Sequence, residues 1–250
     1  MYIKQNHIQP QTLADIVNQG VGLVLSLFSN MFFIPLVTAV PYFIIVAYLR
    51  FIFHEEQPWL SSIISSAGSA AFIWLMGSFT FIILFSEPEA TWSGNQKNAL
   101  RKWTKMLPVL ILGFTLFSIL SVAGGALFLL PGLLVFLLSM LFPFVTIFEK
   151  KPVWQAFKRS AFLMRGALFR GGCLAVLMFW IQIILHTSIL TLIPSDEFLM
   201  LGISAAVTHA VIVPFQAVVM AVFYFSVRAE KEAFDYKVFQ FYASRYDVAQ

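Results

Sequence analysis

The stretch FPFVTIFEKKPVWQAFKRSAFLMRG, residues 142–166, sets a short charged segment between two apolar walls. One apolar run ends at Glu149, Lys150, Lys151 and Pro152, and the next begins at about residue 169. At 100° per residue, Val153, Trp154, Ala156, Phe157, Ala161, Leu163 and Met164 fall on one half of a helical wheel. Gln155, Lys158, Arg159 and Arg165 fall on the other half, with Phe162 the one exception. This pattern predicts a basic amphipathic helix lying in a membrane interface.

The composition agrees with a lipid environment. The chain has 250 residues, 60% hydrophobic and 11% charged, with mean hydropathy +0.85 and 28 Phe. A soluble domain is about 45–50% apolar and about 25% charged. A single core cannot hide this much apolar surface from water. One cysteine, Cys173, excludes an internal disulfide and a Cys-based zinc site. The first 19 residues are polar and lead to no small-residue cleavage site, so no cleaved signal peptide is expected.

Six apolar runs, at approximately 31–53, 60–86, 107–123, 126–148, 169–192 and 200–227, are long enough to cross about 30 Å of hydrocarbon as helices. With both termini cytoplasmic, 15 of the 16 basic residues fall inside and Arg50 alone falls outside. The outer loops carry Glu55, Glu56, Asp196 and Glu197. That asymmetry is the positive-inside pattern, and an odd number of spans would spoil it. Pro35, Pro41, Pro131, Pro143 and Pro214 lie in or near spans and are read as packing kinks. A broken helix lining a substrate path would need convergent polar groups, and none is evident in sequence around Pro131 or Pro143.

Residues 97–107, KNALRKWTKML, and the stretch around Leu13–Val24 repeat the amphipathic pattern. Each leads into an apolar span. The expected fold is therefore an all-α integral membrane protein of six transmembrane helices. They form three hairpins, each preceded by an amphipathic interfacial helix and turned outside near 54–59, 124–125 and 193–199. Residues 1–250 form a single domain, with pseudo-repeats at about 11–86, 92–148 and 152–228 and a cytoplasmic tail at 229–250. Basic interfacial helices imply contact with anionic headgroups at the cytoplasmic face.

LLPGLLVFLLSMLFPFVTIFEKKPVWQAFKRSAFLMRG resembles the signature of the glycerophosphoryl diester phosphodiesterase membrane-domain family and its uncharacterised bacterial inner-membrane relatives. The matching features are Pro131-Gly132, Pro143, Glu149, Ala156, Ser160, Leu163 and Gly166. The tail YFSVRAEKEAFD is similar to the family's ending through Tyr224, Arg228, Lys231, Glu232, Phe234 and Asp235. Ala229 and Ala233 depart from it. The resemblance is strongest over 129–170 and 224–236 and architectural elsewhere. It implies a polytopic protein of the bacterial inner membrane. It implies no phosphodiesterase activity, because that family's catalytic part is a separate metal-dependent barrel for which this chain has no room.

Two polar constellations stand out. Glu149 ends span four at the depth where span six ends near Arg228, so Glu149, Lys158, Arg159, Arg228, Glu232 and Asp235 form a candidate interfacial charge lock or headgroup site. Arg228–Glu232 and Lys231–Asp235 also have the i,i+4 spacing of helix-surface pairs. In the hairpin of spans five and six, residues whose numbers sum to about 395–398 share a depth. This places His186 beside His209 and Gln182 beside Gln216, a candidate intramembrane polar cluster. The simple role of such a cluster is interhelical hydrogen bonding; the alternative is a pH-responsive or substrate-contacting spot.

Other motifs carry less. FHEEQ at 53–57 lacks the second His of a metalloprotease helix, and Gly124-Gly125 lacks a following Lys. The small residues Ser61, Ser62, Ser65, Ser66, Gly68 and Ser69 suit close helix packing. No nucleophile–base–orienter set is evident, and no catalytic, cofactor-binding or metal-ligating residue is assigned. The expectation is a non-enzymatic inner-membrane protein serving envelope or lipid homeostasis, or acting as the membrane subunit of a complex. Its expected partners are lipids and a membrane or cytoplasmic protein, not nucleic acid. A small transporter or scramblase-like protein is the first alternative, and a lipid-modifying enzyme the second.

Overall fold

The computed structural model describes residues 8–54, 57–85, 92–127, 129–192 and 198–232. Among them there is no strand. The helices are α1 Leu13–His54, α2 Pro58–Phe85, α3 Trp92–Leu127, α4 Leu129–Ser139, α5 Phe142–Glu149, α6 Val153–Met164, α7 Leu168–Leu192 and α8 Phe198–Glu232. Six stretches are long and apolar enough to cross a membrane: Met31–His54, Pro58–Phe85, Gln96–Gly124, Leu130–Glu149, Leu168–Leu192 and Phe198–Glu232. The chain is a multi-pass helical membrane protein.

α8 is the axis of the bundle, and its apolar face is enclosed from Ala206 to Val227. α1 runs antiparallel along it. The two backbones come close where glycine leaves room: a Cβ on Gly202 would lie 2.9 Å from Ile44 Cα, and one on Gly20 would lie 2.5 Å from a Val219 methyl. Apolar burial does little to bring helices together in lipid, so close small-residue contacts and interhelical hydrogen bonds take on that task. α2 closes the other side of α1, where the Tyr42 hydroxyl donates to Gly68 O at 3.0 Å. α3 is tied to α2 by two indoles: Trp74 donates to Leu110 O and Trp103 to Leu75 O, at 3.2 and 3.1 Å. α3 and α7 present most of their surfaces outward, among them Ile111, Leu112, Ile119, Val176, Phe179 and Trp180.

Four expectations need correction. The amphipathic stretches at the start of the chain and at 97–107 are not separate surface helices; each is continuous with its span, in α1 and α3. Nothing in either stretch stops a helix. α1 opens on a reciprocal cap, with the Thr12 N–H donating to Asp15 Oδ2 and the Asp15 N–H to Thr12 Oγ1, both at 3.3 Å, and then runs for 42 residues. Second, Gly124 is not in a turn: α3 continues to Leu127, and a Cβ on Gly124 would lie 3.0 Å from Gly132 Cα of α4. Third, the fourth span is two helices, broken at Met140–Leu141, with Pro143 in the first turn of α5. Proline cannot donate to the carbonyl of Ser139 and so ends the α4 ladder there. The Ser160 hydroxyl donates to Leu138 O at 2.7 Å beside the break.

The fourth correction concerns α6. It is a separate helix, but it buries Ala156, Phe157, Ser160, Leu163 and Met164 against the protein, while Trp154 remains 59% exposed. Phe142 and Phe157 stack with centroids 4.3 Å apart. A left-handed residue, Lys150 at φ 50°, ends α5 and turns the chain into α6. That conformation is uncommon for a side-chain-bearing residue, and it folds α6 back beside α5 and α8.

Candidate functional site

The fold gathers polar residues at two places, one at the C-terminal end of α8 and one near its middle. At the C-terminal end, Glu149 closes α5, Arg159 projects from α6, and Tyr224, Arg228 and Glu232 follow each other at i,i+4 on α8. Arg159 Nε lies 3.1 Å from both carboxylate oxygens of Glu149, and Arg159 also pairs with Glu232. The Tyr224 hydroxyl donates to Glu149 Oε1 at 3.0 Å and accepts from Arg228 Nη1 at 3.3 Å. Arg228 Nε lies 3.8 Å from Glu149 and 3.1 Å from Glu232, and Lys151 adds a pair to Glu149 at 3.1 Å.

Arg228 is only 4% exposed and lies over the rings of Phe148 and Tyr224, at 5.3 and 5.7 Å. Burial works against the charge of Arg159, but the hydrogen bonds and fields of Glu232 and Glu149 hold its pKa above the ordinary value. Glu149 accepts from Arg159 and the Tyr224 phenol, and Glu232 accepts from Arg228. The cluster is built to tie α5, α6 and α8 together.

Of the residues expected there, Glu149, Arg159, Arg228 and Glu232 come together. Lys158 does not; it is exposed, with its ammonium 5.4 Å from the Trp154 ring centroid. Asp235 lies outside the described residues. Tyr224 and Lys151 were not singled out for this cluster from the sequence. The i,i+4 spacing of Tyr224 to Arg228 was the available signal for the first.

Toward the other end, α7 and α8 share a polar chain. The Gln216 amide donates to Gln182 Oε1 at 3.2 Å. Gln182 Nε2 lies 3.5 Å from His209 Nε2, and His209 Nδ1 lies 2.8 Å from Ala205 O. A carbonyl can only accept, so His209 carries its proton on Nδ1 and offers Nε2 to the Gln182 amide. The imidazole stacks on Phe43 of α1, with centroids 4.4 Å apart. His186 and His209 line one cavity, and His186 Nδ1 lies 3.3 Å from the Thr208 hydroxyl. Thr208 is one residue, and so about 100° of helix, away from His209, and depth alone could not distinguish the two.

Two cavities meet at this chain. The first, about 450 Å³, lies among α1, α2, α7 and α8; Arg50, His54, Gln182, His186 and His209 supply its nitrogen groups. Ser65 and Ser69 of α2 and the rings of Phe43, Phe51, Phe179 and Phe198 complete it. The second, about 320 Å³, reaches the broken fourth span and is almost wholly apolar, with Trp74, Phe117, Phe136, Pro143, Met178 and Met220 in its walls. Phe179 and Gln182 belong to both. Sequence reading had found no polar groups converging on Pro143, yet Gln182 and Gln216 line the same cavity as Pro143. They come from α7 and α8, far along the chain.

Among the described residues no three His, Cys, Asp or Glu side chains are placed to share a metal ion. Cys173 is half-buried on α7. The chain has no match to any family model, curated protein or solved structure.

Proposed function

We propose that this chain is a non-enzymatic membrane protein that holds a lipid-like amphiphile inside its helical bundle, in the service of envelope or lipid homeostasis. One observation carries the reading: a cavity to which Arg50, His54 and His186 bring nitrogen groups adjoins an almost wholly apolar cavity across the shared walls of Gln182 and Phe179. An amphiphile has that polarity profile, with a polar head at one end and an acyl chain at the other. Concave, mainly apolar sites with a few convergent polar groups are the usual form of small-molecule sites. The same two cavities support the transporter reading, because the break at Met140–Leu141 borders the apolar one. Discontinuous spanning helices commonly border substrate paths.

The remaining parts of the proposal rest on the sequence. The charge asymmetry supports a bacterial inner-membrane location with both termini cytoplasmic. The resemblance to the phosphodiesterase membrane-domain family supports the same setting. Three hairpins, each entered through an interfacial amphipathic segment, fit the antiparallel neighbours α1–α2, α3–α4 and α7–α8. In this arrangement α6 and the first turns of α3 lie against the cytoplasmic headgroups, which their lysines and arginines attract.

The test is to extract the protein from its native membrane in polymer nanodiscs, transfer it to detergent, and quantify the lipid retained. Gly77 lines the apolar cavity, and a Cβ there would meet nothing closer than Ala217 Cβ at 3.8 Å, so Gly77→Leu fills space without forcing the backbone. The proposal predicts retained lipid in the parent and a loss of most of it in Gly77→Leu, with thermal stability kept. Equal retention in both would overturn it.

A further inference from the structure

We infer that the nitrogen-lined cavity is an anion site, selecting amphiphiles whose phosphate headgroup carries net negative charge, with Arg50 as the anchoring residue. This rests on the lipid-holding reading above and names the class of lipid.

Arg50 is out of place by charge. The other described basic residues lie toward the opposite end of the bundle, near the ends of α5 and α8 or the start of α3, whereas Arg50 lies near the end of α1 beside the start of α8. Tyr48 and Phe51 on either side of it contact Phe198, at 5.7 and 5.9 Å between centroids. A guanidinium that served only to be solvated would need no cavity. This one lines a space of about 450 Å³ together with His54 and His186, two imidazoles that can donate, and with Gln182 and His209 deeper in. It makes no ion pair with a described residue, and no carboxylate appears among the residues lining the cavity. Glu55 and Glu56, the next acids along the chain, lie outside the described residues.

The chemistry follows from these groups. Guanidinium presents a planar fork of N–H donors that matches phosphate oxygens, and it is less strongly hydrated than an ammonium, so it suits a partly desolvated phosphate. Phe51, Phe179 and Phe198 border the same space. Phe179 and Gln182 stand between the cavity of Arg50 and the apolar one. A free phosphate compound would use the first cavity alone. A phospholipid uses both, and charge and shape together favour it.

The experiment reconstitutes the full chain in phosphatidylcholine nanodiscs containing a minority of phosphatidylglycerol, transfers it to detergent, and counts retained lipids by native mass spectrometry. The inference predicts enrichment of phosphatidylglycerol over its share of the bilayer by about tenfold or more, the scale of one charged hydrogen-bonded contact. Arg50→Gln removes that preference with the melting temperature kept, and His186→Gln weakens it. Arg50 is exposed, so the variant folds. Retained lipid with no headgroup preference, or a preference unchanged in Arg50→Gln, overturns the anion site and leaves the lipid-holding reading standing. Displacement of the lipid by millimolar inorganic phosphate, or no retained lipid with phosphate alone bound, would place the anion site on soluble compounds and overturn the lipid assignment.

Discussion

Arg159 and Glu149 are ten residues apart in sequence, yet Arg159 Nε reaches both oxygens of the carboxylate at 3.1 Å. The left-handed turn at Lys150 lies between them and leads the chain from α5 into α6. Glu149 also compensates Arg228, which is buried with it. Removing one member of a buried pair leaves an uncompensated charge and costs about 3–5 kcal/mol. Glu149→Gln should therefore lower the melting temperature in detergent sharply. The double variant Glu149→Gln/Arg228→Met should recover part of that loss. A thermal unfolding series on the three proteins checks both statements.

The phenol of Tyr224 is the bridge between the two charges. Tyr224→Phe keeps the ring contacts with Phe144 and Phe225 and removes a donor to a carboxylate. The expected loss is about 1.5–3 kcal/mol, smaller than for Glu149→Gln, and it should shrink toward zero in the Glu149→Gln background. A double-mutant cycle measures that coupling.

The two imidazoles should behave differently. His209→Phe can still stack on Phe43, but it leaves the Gln182 amide without its acceptor. Intramembrane hydrogen bonds of this kind are worth about 0.6–1.7 kcal/mol, so the loss should appear as modestly lower stability. His186→Leu, which loses only a 3.3 Å contact to Thr208, should leave the melting temperature nearly unchanged and reduce the retention of anionic lipid. Melting curves and lipid counts on the same samples separate the two effects.

The close approach of α1 and α8 gives a test of packing. At Gly202 an added Cβ would lie 2.9 Å from Ile44 Cα and 3.0 Å from Phe43 O, so backbone must move. Gly202→Ala should destabilise by about 1–3 kcal/mol, the usual range for overpacking. Gly22→Ala in α1 meets nothing within 4 Å and should be neutral or slightly stabilising, because alanine is the better helix former.

Much of this was legible in sequence, for physical reasons that also explain the misses. Six apolar runs and their charge asymmetry need no tertiary information. The end of α5 at Glu149 and the separate helix α6 follow from Lys150-Lys151-Pro152. Continuity of α1 and α3 was hidden because an amphipathic stretch and an apolar stretch are equally helical; only their solvent differs. The break at Met140–Leu141 was hidden inside a uniformly apolar run. Arg50 showed itself as the one residue against the charge pattern. Gln182, His186 and His209, which share its cavity, come from α7 and α8, and that grouping depends on how those helices pack against α1.

The central claim, that a lipid chain occupies the interior beside Gln182, is tested most directly by photo-crosslinking. A phospholipid with a diazirine in its acyl chain would be reconstituted with the protein, irradiated, and its adducts mapped by peptide mass spectrometry. The account predicts adducts at Met140, Met178 and Met220, which line the apolar cavity, and their loss in Gly77→Leu. Adducts confined to outward-facing residues such as Phe169 and Leu192, 85% and 80% exposed, would show the lipid only around the protein and contradict the account.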